Sequence, residues 1–220
     1  MPAILWFVAL AIVAFGPGNR FRLEQSKDDF GMRSHGVIET LTANRTKFYP
    51  LPQSTAQDYA RLRPEDLRIN PFSATADHYD RQEAIGPYQI EDGRISKTDK
   101  IWFGNSYYDG EGSRGVGAFG YFDTATRSYT LFTPRLVARY EISAIEVQPD
   151  AVWLALDRFG EDVSTSPGGL VRWNRMTHEI HQYPLEFVVS GIRVEGDELS
   201  LKTRNGYVLF RDGHIFTPAK

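Results

Sequence analysis

The sequence predicts an all-β fold: a β-propeller of four-stranded antiparallel blades, three clear and one partial at the N-terminus, forming either a four-bladed or an incomplete ring. Three observations lead there. A short motif recurs as "DKIWFGN" (99–105), "DAVWLAL" (150–156) and "DELSLKT" (197–203), placing Asp99, Asp150 and Asp197 at one fixed distance ahead of Trp102, Trp153 and Ser200. Each copy is followed by a hairpin pattern, "GAFGYFDTATRSYTLFTP", "GGLVRWNRMTHEIHQYPL" or "NGYVLFRDGHIFTP", which alternates to Phe122, Trp173 or Phe210 and turns through Asp, Asn or Gly. The same spacing separates Trp102 from Trp153 and Phe122 from Trp173, so a whole unit recurs.

Within the best copy the strands read A at "AIEV", B at "VWLAL", C at "GLVRW" and D at "EIHQYPL". The A strands of the last two units match as "SAIEV" and "SGIRV", whereas the first unit, around "GRIS", matches poorly. A single blade cannot bury both faces of its sheet, so neighbours must cover them. Trp102, Trp153 and Trp173 are therefore expected in the core between blades.

Towards the N-terminus the pattern weakens. "SHGVIETLTANRTKFYPL" (34–51) resembles a C–D hairpin, with "RFRLEQ" as a candidate earlier strand. Residues 52–92 read as an irregular, Pro-interrupted insertion in which "TAQDYARLRPEDL" suits a short helix broken at Pro64. The division is thus 1–17, a hydrophobic signal or anchor; 18–51, a partial first blade; 52–92, an insertion; and 93–220, three blades.

"AILWFVALAIVAFG" (3–16), ahead of "PGNR", is shorter than the roughly 20 apolar residues a spanning helix needs and suits the apolar part of an export signal. No Lys or Arg precedes it, and Pro17 follows the best cleavage pair. An uncleaved anchor, a start that clips a longer signal and a buried first element are the alternatives. The expected location is periplasmic or extracellular, with membrane contact only through residues 1–16.

Composition narrows the partners. The 220 residues carry a net charge of only −3, which gives no field for nucleic acid, and the absence of cysteine removes disulfides, thiolate metal sites and thiol nucleophiles. "GVGAFG" (115–120) satisfies a nucleotide-loop spacing but leads into a strand pattern, not a helix.

The aliphatic-Trp strand, variable loop, "GGL" with a further aromatic, and "YPL" ending of "VWLALDRFGEDVSTSPGGLVRWNRMTHEIHQYPL" resemble the propeller repeats of two-component-regulator sensor domains and streptogramin-lyase-like proteins. "LSLKTRNGYVLFRDGHIF" resembles the compact form of the repeat, which usually carries Trp at the position of Ser200. The resemblance implies a bacterial extracytoplasmic module for ligand sensing or protein binding, and says little about activity.

Candidate site residues lie on the B–C loops, "NSYYDGEGSRGV" (105–116) and "DRFGEDVSTSP" (157–167), which adjacent blades project to one rim. Tyr107, Tyr108, Asp109, Glu111 and Arg114 would face Asp157, Arg158, Phe159, Glu161 and Asp162, with Arg204 and Asn205 beyond. Stacking aromatics mixed with charged donors and acceptors suit a small polar ligand, a glycan or a protein partner. No cofactor is expected, Ca2+ on Asp109, Glu111, Glu161 and Asp162 being the alternative. His178 and His181, placed on strand D, would point to opposite faces and make a poor zinc pair. No catalytic residues are assigned; the competing class is a lyase or hydrolase with rim acid–base groups aided by His78. An incomplete ring would favour an oligomer.

Overall fold

The computed structural model describes residues 30–54, 56–59, 83–91, 99–107, 116–158 and 167–216. In chain order the elements are β1 (Phe30–Arg33), β2 (Gly36–Thr42), β3 (Arg45–Pro50), the single helical turn α1 (Ala56–Tyr59), β4 (Glu83–Glu91), β5 (Lys100–Tyr107), β6 (Phe119–Asp123) and β7 (Ser128–Phe132). They continue as β8 (Glu141–Val147), β9 (Ala151–Asp157), β10 (Gly169–Asn174), β11 (Ile180–Tyr183), β12 (Gly191–Glu195), β13 (Glu198–Thr203), β14 (Gly206–Arg211) and β15 (His214–Phe216). Among the described residues no helix is long and apolar enough to cross a membrane.

The strands form one three-stranded sheet, β1-β2-β3, and three four-stranded antiparallel sheets, β4-β5-β6-β7, β8-β9-β10-β11 and β12-β13-β14-β15, each in sequence order. These are propeller-type blades, and strands A to D of the best copy fall on β8 to β11. The A strands β4, β8 and β12 pack side by side. Strand register makes the repeat explicit: Gln89 sits opposite Trp102, Glu146 opposite Trp153, and Arg193 opposite Ser200.

The described structure begins the second blade at Glu83, ahead of residue 93. Strand β4 was hidden in the sequence by Gly86-Pro87, which reads as a breaker. Those two residues occupy a register shift between Ile85 and Tyr88, where a proline without an N–H can be accommodated. Likewise β1 lies ahead of the hairpin β2–β3 at "FGMR", while "RFRLEQ" lies outside the described residues. His178 is also corrected: it sits in the β10–β11 turn at φ 62 rather than on strand D, its ring 4.9 Å from that of Trp173.

Why the C–D hairpins turn where they do is visible in their side chains. Asp123 Oδ1 accepts from the N–H groups of Ala125 and Thr126, and Asn174 Oδ1 from those of Met176 and Thr177. A short acceptor two residues ahead of the bend replaces the missing ladder bonds. The turns then latch onto the A–B turns, Thr124 N–H donating to Asp99 O at 3.3 Å and Arg175 N–H to Asp150 O at 2.9 Å.

Blades meet through two aromatic layers. Trp102 on β5 faces forward and lies 6.1 Å from Trp173 on β10, while Trp153 on β9 lies 5.8 Å from Phe210 on β14. Phe122 on β6 faces back to Phe30 and Tyr49 of the first sheet, at 5.9 and 5.2 Å. The motif thus places a B-strand ring against the C-strand ring of the next blade. All three tryptophans are core, as the sequence implies.

An arginine in each of two C–D turns reinforces these seams. Arg127, at φ 56, donates from Nη2 to Glu39 Oε1 at 2.6 Å across the seam between the first two blades. That guanidinium, together with the Tyr49 hydroxyl, holds the Glu39 carboxyl below its ordinary range. Arg175 does the same one seam later, reaching Glu91 Oε1 at 2.8 Å.

Candidate functional site

Of the rim residues read from the sequence, Tyr108, Asp109, Glu111, Arg114, Phe159, Glu161 and Asp162 lie outside the described residues, as does His78. Tyr107 closes β5 opposite Glu83. Asp157 closes β9, and the Arg158 N–H donates to its Oδ1 at 2.7 Å. Burial raises the Asp157 pKa, and that N–H partly opposes the shift. The described ends of the two B–C connections lie beside the link between blades that carries Tyr140. Gly117 N–H donates to Ala138 O at 2.9 Å, and the Arg158 guanidinium lies 5.7 Å from the Tyr140 ring. Arg204 is exposed in the β13–β14 turn, the B–C turn of the fourth blade.

A second candidate site lies on the opposite rim, where the A–B and C–D turns emerge. A cleft of about 350 Å3 opens between the third and fourth blades, lined by Trp153, Tyr183, Phe210, Arg172, Asp197 and Asp212 among others. Its floor is aromatic: Tyr183 stands 5.8 Å from Trp153 and 5.0 Å from Phe210. The Trp153 indole N–H donates to Gln148 Oε1 at 3.0 Å, which fixes the ring. Ion pairs join Arg172 to Asp150, and Arg211 to Glu198 at 2.9 Å. Among the described residues, Asp197 and Asp212 at the mouth have no ion-pair partner.

The cleft exists because one turn is short. In the third blade, Asn174 to Glu179 intervene between the paired residues Trp173 and Ile180; in the fourth, only Arg211 to His214 intervene between Phe210 and Ile215. The longer turn carries Arg175 into the preceding seam. There its guanidinium lies 5.2 Å from the Trp102 ring centroid, its Nη2 donates to Glu91, and its Nη1 donates to Gln148 O at 2.8 Å. Trp102 donates its indole N–H to the same Glu91, at 2.5 Å. Register equates Glu91 with Gln148 and Trp102 with Trp153. The next seam therefore keeps the indole and its acceptor, but the turn bearing Asp212 and Gly213 supplies nothing to cover them.

Sequence reasoning missed this site because it weighed the long polar B–C loops and gave no role to the compact "RDG" turn of the last hairpin. The available signal was Asp197 and Asp212 beside a tryptophan whose counterpart one blade earlier is roofed by arginine.

A third feature is the polar row formed by Gln89, Glu146 and Arg193 at repeat-equivalent positions on the A strands. Gln89 Oε1 accepts from Val147 N–H at 2.7 Å. Burial raises the Glu146 pKa to about 6, against the opposing pull of Gln89 and the Arg193 charge. The folded state therefore binds a proton more tightly than the unfolded chain. Its contribution to stability is full below pH 4.5, declines as pH rises towards 6 and is gone above that. With solvent screening the span is no more than about 1 kcal/mol. Glu146→Gln is expected to flatten the urea midpoint across this window; an unchanged pH profile in the variant would assign the titration elsewhere.

No protein-family model matches the chain, and no curated protein matches it. Among solved structures, the chain is similar to the extracellular domain of BT4673 from B. thetaiotaomicron, described as a putative one component system, at 13% identity and a TM-score of 0.47. The match covers 88% of this chain and 21% of that one, so this chain spans about a fifth of its length.

Proposed function

We propose that this chain is a non-catalytic, extracytoplasmic binding or sensing module that takes a small polar ligand, a glycan or an exposed side chain of a protein partner in the cleft between the third and fourth blades. The observation that carries the reading is the cleft itself. Trp153, Tyr183 and Phe210 form an apolar floor beneath a charged mouth, the usual division between stacking area and orienting groups in a ligand pocket. Trp153 is held by a hydrogen bond and neighbouring rings, so little ordering remains to oppose binding.

A ligand that binds only the native state must raise its stability, by about 2.7 kcal/mol at a hundredfold excess over Kd. Thermal unfolding in the presence of sugars, cell-wall fragments and short peptides is expected to give at least one upward shift, lost in Trp153→Ala. A shift that survives in Trp153→Ala would place binding on another surface. A full panel without any shift would refute the small-ligand form of the reading.

A further inference from the structure

We infer that the ligand group recognised by this cleft is a guanidinium, presented by an arginine side chain of a peptide or by a small arginine-like molecule; the inference rests on the binding reading above. The molecule contains its own precedent. At the seam between the first two blades, Arg127 of a C–D turn crosses to Glu39, and at the next, Arg175 crosses to Glu91 and lies over Trp102. At the third seam the C–D turn is shorter, and its arginine, Arg211, pairs with Glu198 of its own blade. The position over the B-strand tryptophan that Arg175 of the following blade fills at the second seam is here taken by no arginine of the following blade.

What surrounds that position still suits a guanidinium. Trp153 replaces Trp102 as the ring to stack on, and Gln148 replaces Glu91 as the indole acceptor. Two carboxylates stand at the mouth, Asp197 of the repeat's A–B turn and Asp212 of the short C–D turn. Arg172 lies 6.0 Å from the Trp153 centroid, at the outer limit of a cation–π contact, and is drawn aside by Asp150. With both cleft arginines paired, two carboxylates set the local sign, which favours cations over anions. A guanidinium fits better than an ammonium because its flat face stacks on indole while its edge donates to carboxylates in the same plane.

The test is calorimetric titration of the full chain with Nα-acetyl-L-argininamide, L-arginine, Nα-acetyl-L-lysinamide and the neutral isostere Nα-acetyl-L-citrullinamide, with the Trp153 indole N–H followed by NMR. Argininamide is expected to bind and move the Trp153 signal, with the lysine and citrulline compounds at least about tenfold weaker. A preference for argininamide over free arginine identifies a peptide as the source, and equal binding a free small molecule. The double variant Asp197→Asn/Asp212→Asn should weaken argininamide about tenfold. Both sites are surface turns, and asparagine tolerates the φ of 50 at Asp212, so the variant retains the fold. Citrullinamide binding as well as argininamide, or a neutral sugar moving Trp153 where argininamide does not, would overturn the guanidinium assignment and leave the binding reading intact. If no compound of this panel or of the sugar and peptide screen moves Trp153, both fall.

Discussion

Replacing Arg175 by alanine is expected to lower folding stability by about 3–5 kcal/mol, because it strands a charged partner inside the protein. Glu91 is 0% exposed, and its two oxygens are held by Arg175 and the Trp102 indole. Among the described residues, removing the guanidinium leaves the Glu91 carboxylate with one neutral donor, the Trp102 indole, and no counter-charge. The paired variant Arg175→Met/Glu91→Gln should recover much of the loss, since the indole retains an acceptor and no charge remains buried. Urea unfolding of the three proteins measures this. A single variant that loses less than about 1 kcal/mol would show that water reaches Glu91, and the seam would not be the dry junction described.

Trp102→Ala should be comparably damaging, about 3–5 kcal/mol. The ring is 2% exposed and packs on Tyr121, Phe132 and Trp173 at 4.8, 6.4 and 6.1 Å. Its loss opens a cavity on both sides of a seam and takes away the donor that satisfies Glu91. Trp153→Ala at the equivalent position should be milder, because that ring already borders an open cleft and is 8% exposed. Equal losses at the two positions would contradict the contrast between the closed and open seams. The comparison reads packing together with the lost donor, since Trp102 donates to a buried carboxylate and Trp153 to an amide oxygen.

The architecture was legible because its repeat is written in large residues. An aromatic on strand C and, in two of the units, a tryptophan on strand B must meet across every seam, so their spacing survives where loops diverge. Elements escaped notice where local chemistry imitates a breaker. Gly86-Pro87 inside β4 is one case and the four-residue β1, too short to show alternation, is another. His178 was misplaced for the same reason: its left-handed backbone extends the turn beyond the point where alternation suggested strand.

The cleft was illegible for a different reason, since it results from what one turn lacks. No residue type announces it. Only the pairing of Glu91 with Lys100, set beside the coincidence of Gln148 with the same place in the next blade, shows that Asp212 stands where a longer loop would have carried an arginine. The rim tyrosines and acids attracted attention by composition. Of them, the described structure joins the Arg158 N–H to Asp157 and places Arg204 in the β13–β14 turn, the B–C turn of the next blade.

The length of a single hairpin tip decides whether the junction behind it is plugged or vacant, without any change to the strands. Vacancy is therefore transferable: grafting the longer "NRMTHE" tip onto the last unit should seal its chamber, and trimming the preceding tip should create a twin one unit earlier. A chain assembled this way can gain or relocate a recognition chamber by insertion or deletion at its periphery while its interior stays as it was.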